Sequence, residues 1–267
     1  MSTRPLYFVH ISDTHFGPAK DFTRHGHAPW PCAQALVQII NNLPAKPAFV
    51  IHTGDVANNP HPTAYELAAA TFAQLSIPIY YVAGNHDDVQ DIRHHLPMGQ
   101  KQDLDSSQRL SYIFEVAGYR FLVVDAKGPK EIDPNGLLPD SQLEIVRQEA
   151  AANGPPLTIF MHFPVLHMDS TWYDENMLVL NGAAFHQALL PARDRLCGVF
   201  FGHIHQPMQI MRDGIVYISA ASAFSQFAAW PDALDPSTNP EHLPGYNFVH
   251  LLPQQTIVHH HTFPRPL

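Results

Sequence analysis

The chain has 267 residues, 45% of them apolar, enough to bury a large core, and it reads as one α/β domain over 1–267 rather than two small ones. A formal charge of −9, with 15 Lys and Arg and no long basic run, excludes an extended nucleic acid as the expected partner. Two cysteines, Cys32 and Cys197, exclude a disulfide framework; the opening MSTRPLYFVHISD carries neither a secretory apolar region nor a membrane span, so the chain reads as cytoplasmic with no membrane role.

Nineteen histidines and 25 prolines are the compositional outliers; the first favour metal chemistry, the second long and locally fixed loops. LYFVHI (6–11) reads as a buried strand, PCAQALVQIINNL (31–43) as a helix with proline in its first turn, and AFVIH (48–52) as a strand. PTAYELAAATFAQL (62–75) is a second proline-started helix and IYYVA (79–83) a third strand, an alternation that predicts right-handed crossovers and a largely parallel sheet. From RLSYIFEVAGYRFLVVDA (109–126) a hairpin begins an antiparallel second half, with YRFLVVD (119–125), LTIFM (157–161) and CGVFF (197–201) as further strands. DSQLEIVRQEAAA (140–152), capped by Asp140 or Ser141, and GAAFHQALL (182–190) read as helices. QPMQIMRDGIVYISA (206–220) repeats the hairpin pattern, and YNFVHLL with TIVHHHTF (246–263) adds a terminal pair. The sum is an α/β fold, a four-layer α/β/β/α sandwich of two mixed sheets with outer helices. Segments 16–31, 97–108, 127–139, 163–181 and 225–245 are long loops of the kind that carry function or move.

Metal-capable side chains follow five of the apolar runs: Asp13 and His15, then Asp55, then Asn85 beside His86 and Asp87, then His162, then His203 and His205. Ligands bind at the carboxyl ends of strands in open α/β sheets, so these residues are expected to converge. Two carboxylates, one amide and four imidazoles exceed one tetrahedral ion and suit two neighbouring ions, with Asp55 as the bridge. Residues two apart in an extended segment point the same way, which lets His203 and His205 face the site yet reach separate ions; Asp13 and His15 go with His205 on one ion. Gly54, Gly84 and Gly202, each just before a ligand, are expected to supply tight turns.

The ordered blocks SDTH, GDVAN, GNHD, MHFP and GHIH resemble the calcineurin-like metallophosphoesterase superfamily, most of all its bacterial class III cyclic-nucleotide and glycerophosphodiester phosphodiesterases. The resemblance implies two packed mixed sheets and a dinuclear centre. It implies Asp13, His15, Asp55 and His205 on one ion, Asp55, Asn85, His162 and His203 on the other, His86 near the scissile phosphate, and no tyrosinate ligand.

Two such ions make hydroxide available near neutral pH for in-line attack on phosphorus, with Asp55 and His86 as catalytic residues. His86 is read as stabilising transition-state charge or protonating the leaving oxygen, and Asp87 either as orienting an imidazole from behind or as a simple turn or cap residue. Nitrogen and oxygen donors favour divalent or trivalent Mn, Fe, Zn or Co. The expected substrate is a small phosphodiester, a cyclic nucleotide or glycerophosphodiester; the alternatives are a phosphomonoesterase or phosphonate-ester hydrolase on the same centre, or a non-catalytic metal-binding scaffold. Asn85, His86, His167, Trp172 and Tyr173 are the substrate-binding candidates. Asn181 is a further pocket candidate, 163–181 and 225–245 (with Phe227 and Trp230) serve as cap or wall, and a homo-oligomer is the expected partner state. His10 and His52 read as hydrogen-bonded core histidines or supports behind the ligands, His25, His27, His61, His94 and His95 as solvated, with a place for one of them at the pocket rim, and His259, His260 and His261 as part of a terminal strand.

Overall fold

Strand and helix alternate first: β1 (Leu6–Ile11), α1 (Pro29–Asn41), β2 (Phe49–His52), α2 (Pro62–Phe72), β3 (Ile79–Tyr81) and α3 (Val89–His95). These come from a computed structural model, which describes residues 4–105, 108–151, 153–235 and 237–266. β1, β2 and β3 pair in parallel, as the crossovers through α1 and α2 require. α1 starts at Pro29, two residues ahead of the predicted start, and α2 starts at Pro62 behind His61, whose ring accepts from the Thr63 amide. α3 lies outside the predicted elements and is set by Asp88, whose carboxylate accepts from the amides of Gln90 and Asp91.

The remainder runs β4 (Gln102–Asp105), β5 (Ser111–Val116), β6 (Tyr119–Val123), α4 (Asp140–Ala151), β7 (Leu157–Phe160), α5 (Thr171–Asn176), α6 (Gly182–Leu189) and β8 (Leu196–Phe201). It ends with β9 (Gln209–Arg212), β10 (Ile215–Ser219), β11 (Gln226–Ala228), β12 (Ser237–Asn239), β13 (Gly245–Leu252) and β14 (Gln255–Thr262). The hairpins β5–β6, β9–β10 and β13–β14 form as predicted. The second half is not antiparallel throughout, because β6, β7, β8 and β10 are parallel to one another and α4 and α6 supply the crossovers. The terminal hairpin joins the first sheet, in order β14-β13-β1-β2-β3; the second sheet runs β4-β5-β6-β7-β8-β10-β9. Within the predicted loop 225–245, β11 and β12 form a small ladder of their own. Residues 1–3 of the opening segment, 106 and 107 of segment 97–108, position 152 of the predicted helix 140–152, and position 236 of segment 225–245 lie outside the described residues.

Side-chain alternation assigns the layers. Phe8 and Phe49 face the second sheet, with ring centroids 5.4 Å from Phe200 (Phe8) and 4.9 Å from Phe121 (Phe49); each buried ring stabilises by roughly 1.5–3 kcal/mol. One residue out of phase, His52 turns to the other face and meets Phe72 of α2 at 5.8 Å. In the second sheet Leu122, Ile159, Val199 and Phe201 face outward into a cluster with Leu143 and Val146 of α4 and Phe185 and Leu189 of α6. The two sheets meet beyond their strand ends, where the Ala223 amide, after β10, donates to the Ser12 carbonyl, after β1.

Candidate metal centre and its pocket

Past the last residue of β1 the chain stays laddered to the segment after β2. The amides of Asp13, His15 and Phe16 donate to the carbonyls of Gly54, Asp55 and Val56 at 2.8–3.0 Å. Neither this segment nor the one after β8 is extended. Asp13 (φ 55°), His15 (φ 45°), Asp55 (φ 56°), His203 (φ 71°) and His205 (φ 49°) all occupy the left-handed region. The i, i+2 spacing therefore brings its pairs to one site through alternating kinks, not through strand alternation. Such backbone costs of order 1 kcal/mol or more per non-glycine residue and accumulates where function constrains it. Of the three glycines read as turn formers only Gly54 has positive φ, 99°. Gly84 and Gly202 are required for room: a Cβ on Gly84 would lie 2.1 Å from Asp55 Oδ1, and one on Gly202 1.9 Å from Ser12 Oγ and 2.8 Å from Asp13 Oδ2.

All seven predicted donors converge. One set is Asp13, His15 and His205, a second Asp55, His162 and His203, and His15, Asp55 and His86 form a third that connects them. Asp55 faces both ways, with Oδ2 3.5 Å from His15 Nε2 and Oδ1 3.5 Å from His162 Nε2. His205 Nε2 lies 3.5 Å from Asp13 Oδ1 and 3.0 Å from His15 Nε2, and Asn85 Oδ1 lies 3.2 Å from His162 Nε2. Behind the rings, His162 Nδ1 lies 2.7 Å from the Thr53 carbonyl and His205 Nδ1 3.0 Å from that of Ser225. A carbonyl at Nδ1 leaves the Nε2 lone pair free for a cation. His203 Nε2 is buried and, among the described residues, has no hydrogen-bond partner. An orphan imidazole nitrogen among carboxylates costs desolvation energy that a cation would recover, so the residues fit the metal pair.

Three of the four imidazoles are neutral and ready for a cation, while His162 carries a proton that a cation would displace. Burial and neighbouring positive groups keep His15 and His203 well below the usual imidazole range and bring His205 down to about 3, so all three are neutral. Burial would lower His162, but Asp55 beside it raises it to about 9; burial would raise Asp55, but His162 and His86 hold it well below the usual carboxylate range. Burial, with Asp55 adding to it, pushes Asp13 up to about 7.

The cavity over these donors has a volume of about 380 Å³, and its lining includes Arg24, His25, Asn85, His86, Trp172 and Phe227. Trp172 and Phe227 are in place as walls, Phe227 stacked on His205 at 4.5 Å, and the Trp172 amide donates to the Ala233 carbonyl, tying the two predicted wall segments together. Tyr173 does not line the cavity. It is the next residue along α5, so its side chain turns into the core, where its hydroxyl donates to the Ile204 carbonyl at 2.8 Å. His167 is 82% exposed beside Asp174, Asn181 ties down the Leu138 backbone, and Trp230 is 72% exposed, so none of the three lines it either. Among the described residues Asp87 makes no hydrogen bond or ion pair to an imidazole: its carboxylate accepts from the amides of Val56, Ala57 and Gly84 and from the Tyr65 hydroxyl, cross-linking the loops that present Asp55 and Asn85. His86 is instead oriented by the Asn58 carbonyl, 2.6 Å from Nδ1. His25 is exposed, as predicted, and stands at the rim of the cavity, whereas His10 and His52 are buried, 2.9 Å from Thr53 Oγ1 and Thr14 Oγ1 respectively.

Carboxylates and imidazoles gathered at the C-terminal edge of a two-sheet sandwich are the makings of a metal-dependent hydrolase. The chain belongs to the calcineurin-like phosphoesterase family, whose model matches residues 6–207. It is 28% identical over 213 residues to a probable cyclic nucleotide phosphodiesterase of Psychrobacter sp. (strain PRwf-1), covering 78% of this chain and 61% of that relative's length. It is 27% identical over 202 residues to a glycerophosphodiester phosphodiesterase of Enterobacter lignolyticus, covering 75% of this chain and 71% of the relative. The fold is shared with a dimetal phosphatase from Danio rerio, with a TM-score of 0.68 over 95% of this chain and 98% of that one, at 16% identity.

Proposed function

We propose that the protein is a metal-dependent phosphodiesterase acting on small molecules, with cyclic nucleotides and glycerophosphodiesters as its substrate classes. The observation that carries the reading is a pair of donor sets joined by the two oxygens of Asp55 beneath a cavity of about 380 Å³. The relatives named for those two activities support the substrate classes. Asp13, His15, Asp55 and His205 would hold one ion, and Asp55, Asn85, His162 and His203 the other. When bound, such a pair lowers the pKa of a shared water and neutralises phosphoryl charge, and nitrogen and oxygen donors suit Mn, Fe, Zn or Co.

The chain's own residues do the rest. With Nδ1 engaged by the Asn58 carbonyl, His86 keeps Nε2 for the substrate, where it steadies a phosphoryl oxygen or hands a proton to the departing alkoxide. Trp172 and Phe227 give one side of the cavity an apolar surface for the alcohol substituent. The reading takes 1–267 as one metallophosphoesterase domain with 163–181 and 225–245 as its walls. It sets the protein in the cytoplasm, supported by free thiols at Cys32 and Cys197, and expects self-association, supported by the exposed Trp230 and Leu234. Among the described residues no helix is long and apolar enough to cross a membrane.

The test is hydrolysis of bis(p-nitrophenyl) phosphate, p-nitrophenyl phosphate, a cyclic nucleotide and a glycerophosphodiester by protein loaded separately with Mn, Fe, Zn and Co. Diester cleavage exceeding monoester cleavage supports the reading. A strong monoester preference, or inactivity with every metal, overturns it.

A further inference from the structure

The segment between β1 and α1 sends into the cavity a side chain that the ligand set does not use. Arg24 and His27 pair backbone to backbone, each amide donating to the other's carbonyl at 2.9 Å, and the two residues between them, His25 (φ 51°) and Gly26 (φ 77°), are both left-handed. This is a two-residue type I′ turn, a stiff arm at the cavity rim. Arg24 Nη1 donates to Asn58 Oδ1 at 2.5 Å and lies 2.8 Å from His15 Nδ1, and Nε donates to His25 Nε2 at 3.0 Å. Among the described residues nothing accepts from Nη2, and no carboxylate forms an ion pair with the guanidinium, which lines the cavity together with Asn85 and His86.

Asp55 and Asp13 favour the charge of Arg24 only from a distance; a half-buried guanidinium with no carboxylate in direct contact, fixed along one edge, presents its remaining N–H groups to an arriving anion in a geometry that suits phosphate oxygens. Asn58 couples this group to the neighbouring one, since its side-chain oxygen holds Arg24 while its carbonyl holds His86. We infer that Arg24, positioned by Asn58, is a phosphate-binding residue that takes a non-bridging oxygen of the substrate's phosphoryl group. The inference rests on the phosphodiesterase reading and adds to it a recognition element independent of the cations.

The experiment uses the metal-reconstituted full chain as wild type, Arg24→Gln and Arg24→Lys. It measures ion content, the Kd of inorganic phosphate by calorimetry, and kcat and KM on bis(p-nitrophenyl) phosphate. Both variants should hold as many ions as wild type. In Arg24→Gln the phosphate Kd should rise and kcat/KM fall by about ten- to a hundredfold, the range for losing a charge-assisted hydrogen bond, with Arg24→Lys in between. Unchanged phosphate affinity overturns the inference. So does an activity loss that tracks loss of an ion, which would make Arg24 a support for His15. If wild type cleaves no diester, the functional reading falls, while the phosphate titration still decides Arg24.

Discussion

Substituting alanine for Gly84 should injure the site through a single methyl group. The added Cβ would stand 2.1 Å from Asp55 Oδ1, 2.8 Å from its Cγ and 2.4 Å from its backbone nitrogen. Rotating the carboxylate away does not relieve the clash, because Oδ1 also accepts from the His86 amide at 3.0 Å and the backbone nitrogen has no rotamer to change. Relief therefore requires moving one loop by an ångström or so. Overpacking of this kind costs about 1–3 kcal/mol, a fall in Tm of roughly 2–12 °C for a chain of this size. Because Asp55 faces both donor sets, its displacement should weaken both ions together. Calorimetric melting and elemental analysis after dialysis measure the two effects. Gly154→Ala is the control, since its Cβ would meet only Arg195 Nη1 at 3.9 Å. A Gly84→Ala protein with wild-type Tm and wild-type metal content would refute the reasoning.

Three further outcomes are expected. His86→Ala should lower kcat by about a hundredfold or more while metal content stays at the wild-type level, checked by steady-state kinetics alongside elemental analysis. Asp87→Asn replaces an acceptor of three amides and a hydroxyl with a group that must turn an NH2 toward some of them; a loss of about 1–3 kcal/mol in chemical denaturation and a weaker metal Kd should follow. His10 and His52 are held neutral by burial, each lowered from 6.5 to about 3. The unfolded chain binds their protons more tightly, so this stability is full above pH about 6.5 and drains as pH falls toward 3, at up to about 1.4 kcal/mol per unit for each. The Tm of the metal-free protein should drop across that window, and His10→Gln should flatten the drop.

What the sequence made legible follows from which signals are local. Apolar runs bounded by glycine and polar residues located the strands of both large sheets except β4, whose Gln102–Asp105 carries no apolar run and lies in the segment read as the loop 97–108, and the residues directly after those runs are the ones that converge, because in parallel sheets strand ends share an edge. Ser237-Thr238-Asn239 carries no apolar alternation, so β12 and its partner β11 had no signature. Adjacent residues on a helix point about 100° apart, which is why Trp172 reaches the cavity and Tyr173 the core. Asp87 follows His86 in sequence but answers backbone amides from another loop, a partnership that only the packed turns reveal. The turn signal His25-Gly26 was present in the text of the chain, yet nothing local says that the arm it builds would carry Arg24 to Asn58.

The most direct measurement is the stoichiometry of metal bound to wild type and to Asp55→Asn, by elemental analysis and calorimetric titration of the metal-free chain. The account predicts two ions per chain for wild type, with affinity for both reduced together in the variant. One ion in wild type, or two held at undiminished affinity without the Asp55 carboxylate, would contradict it.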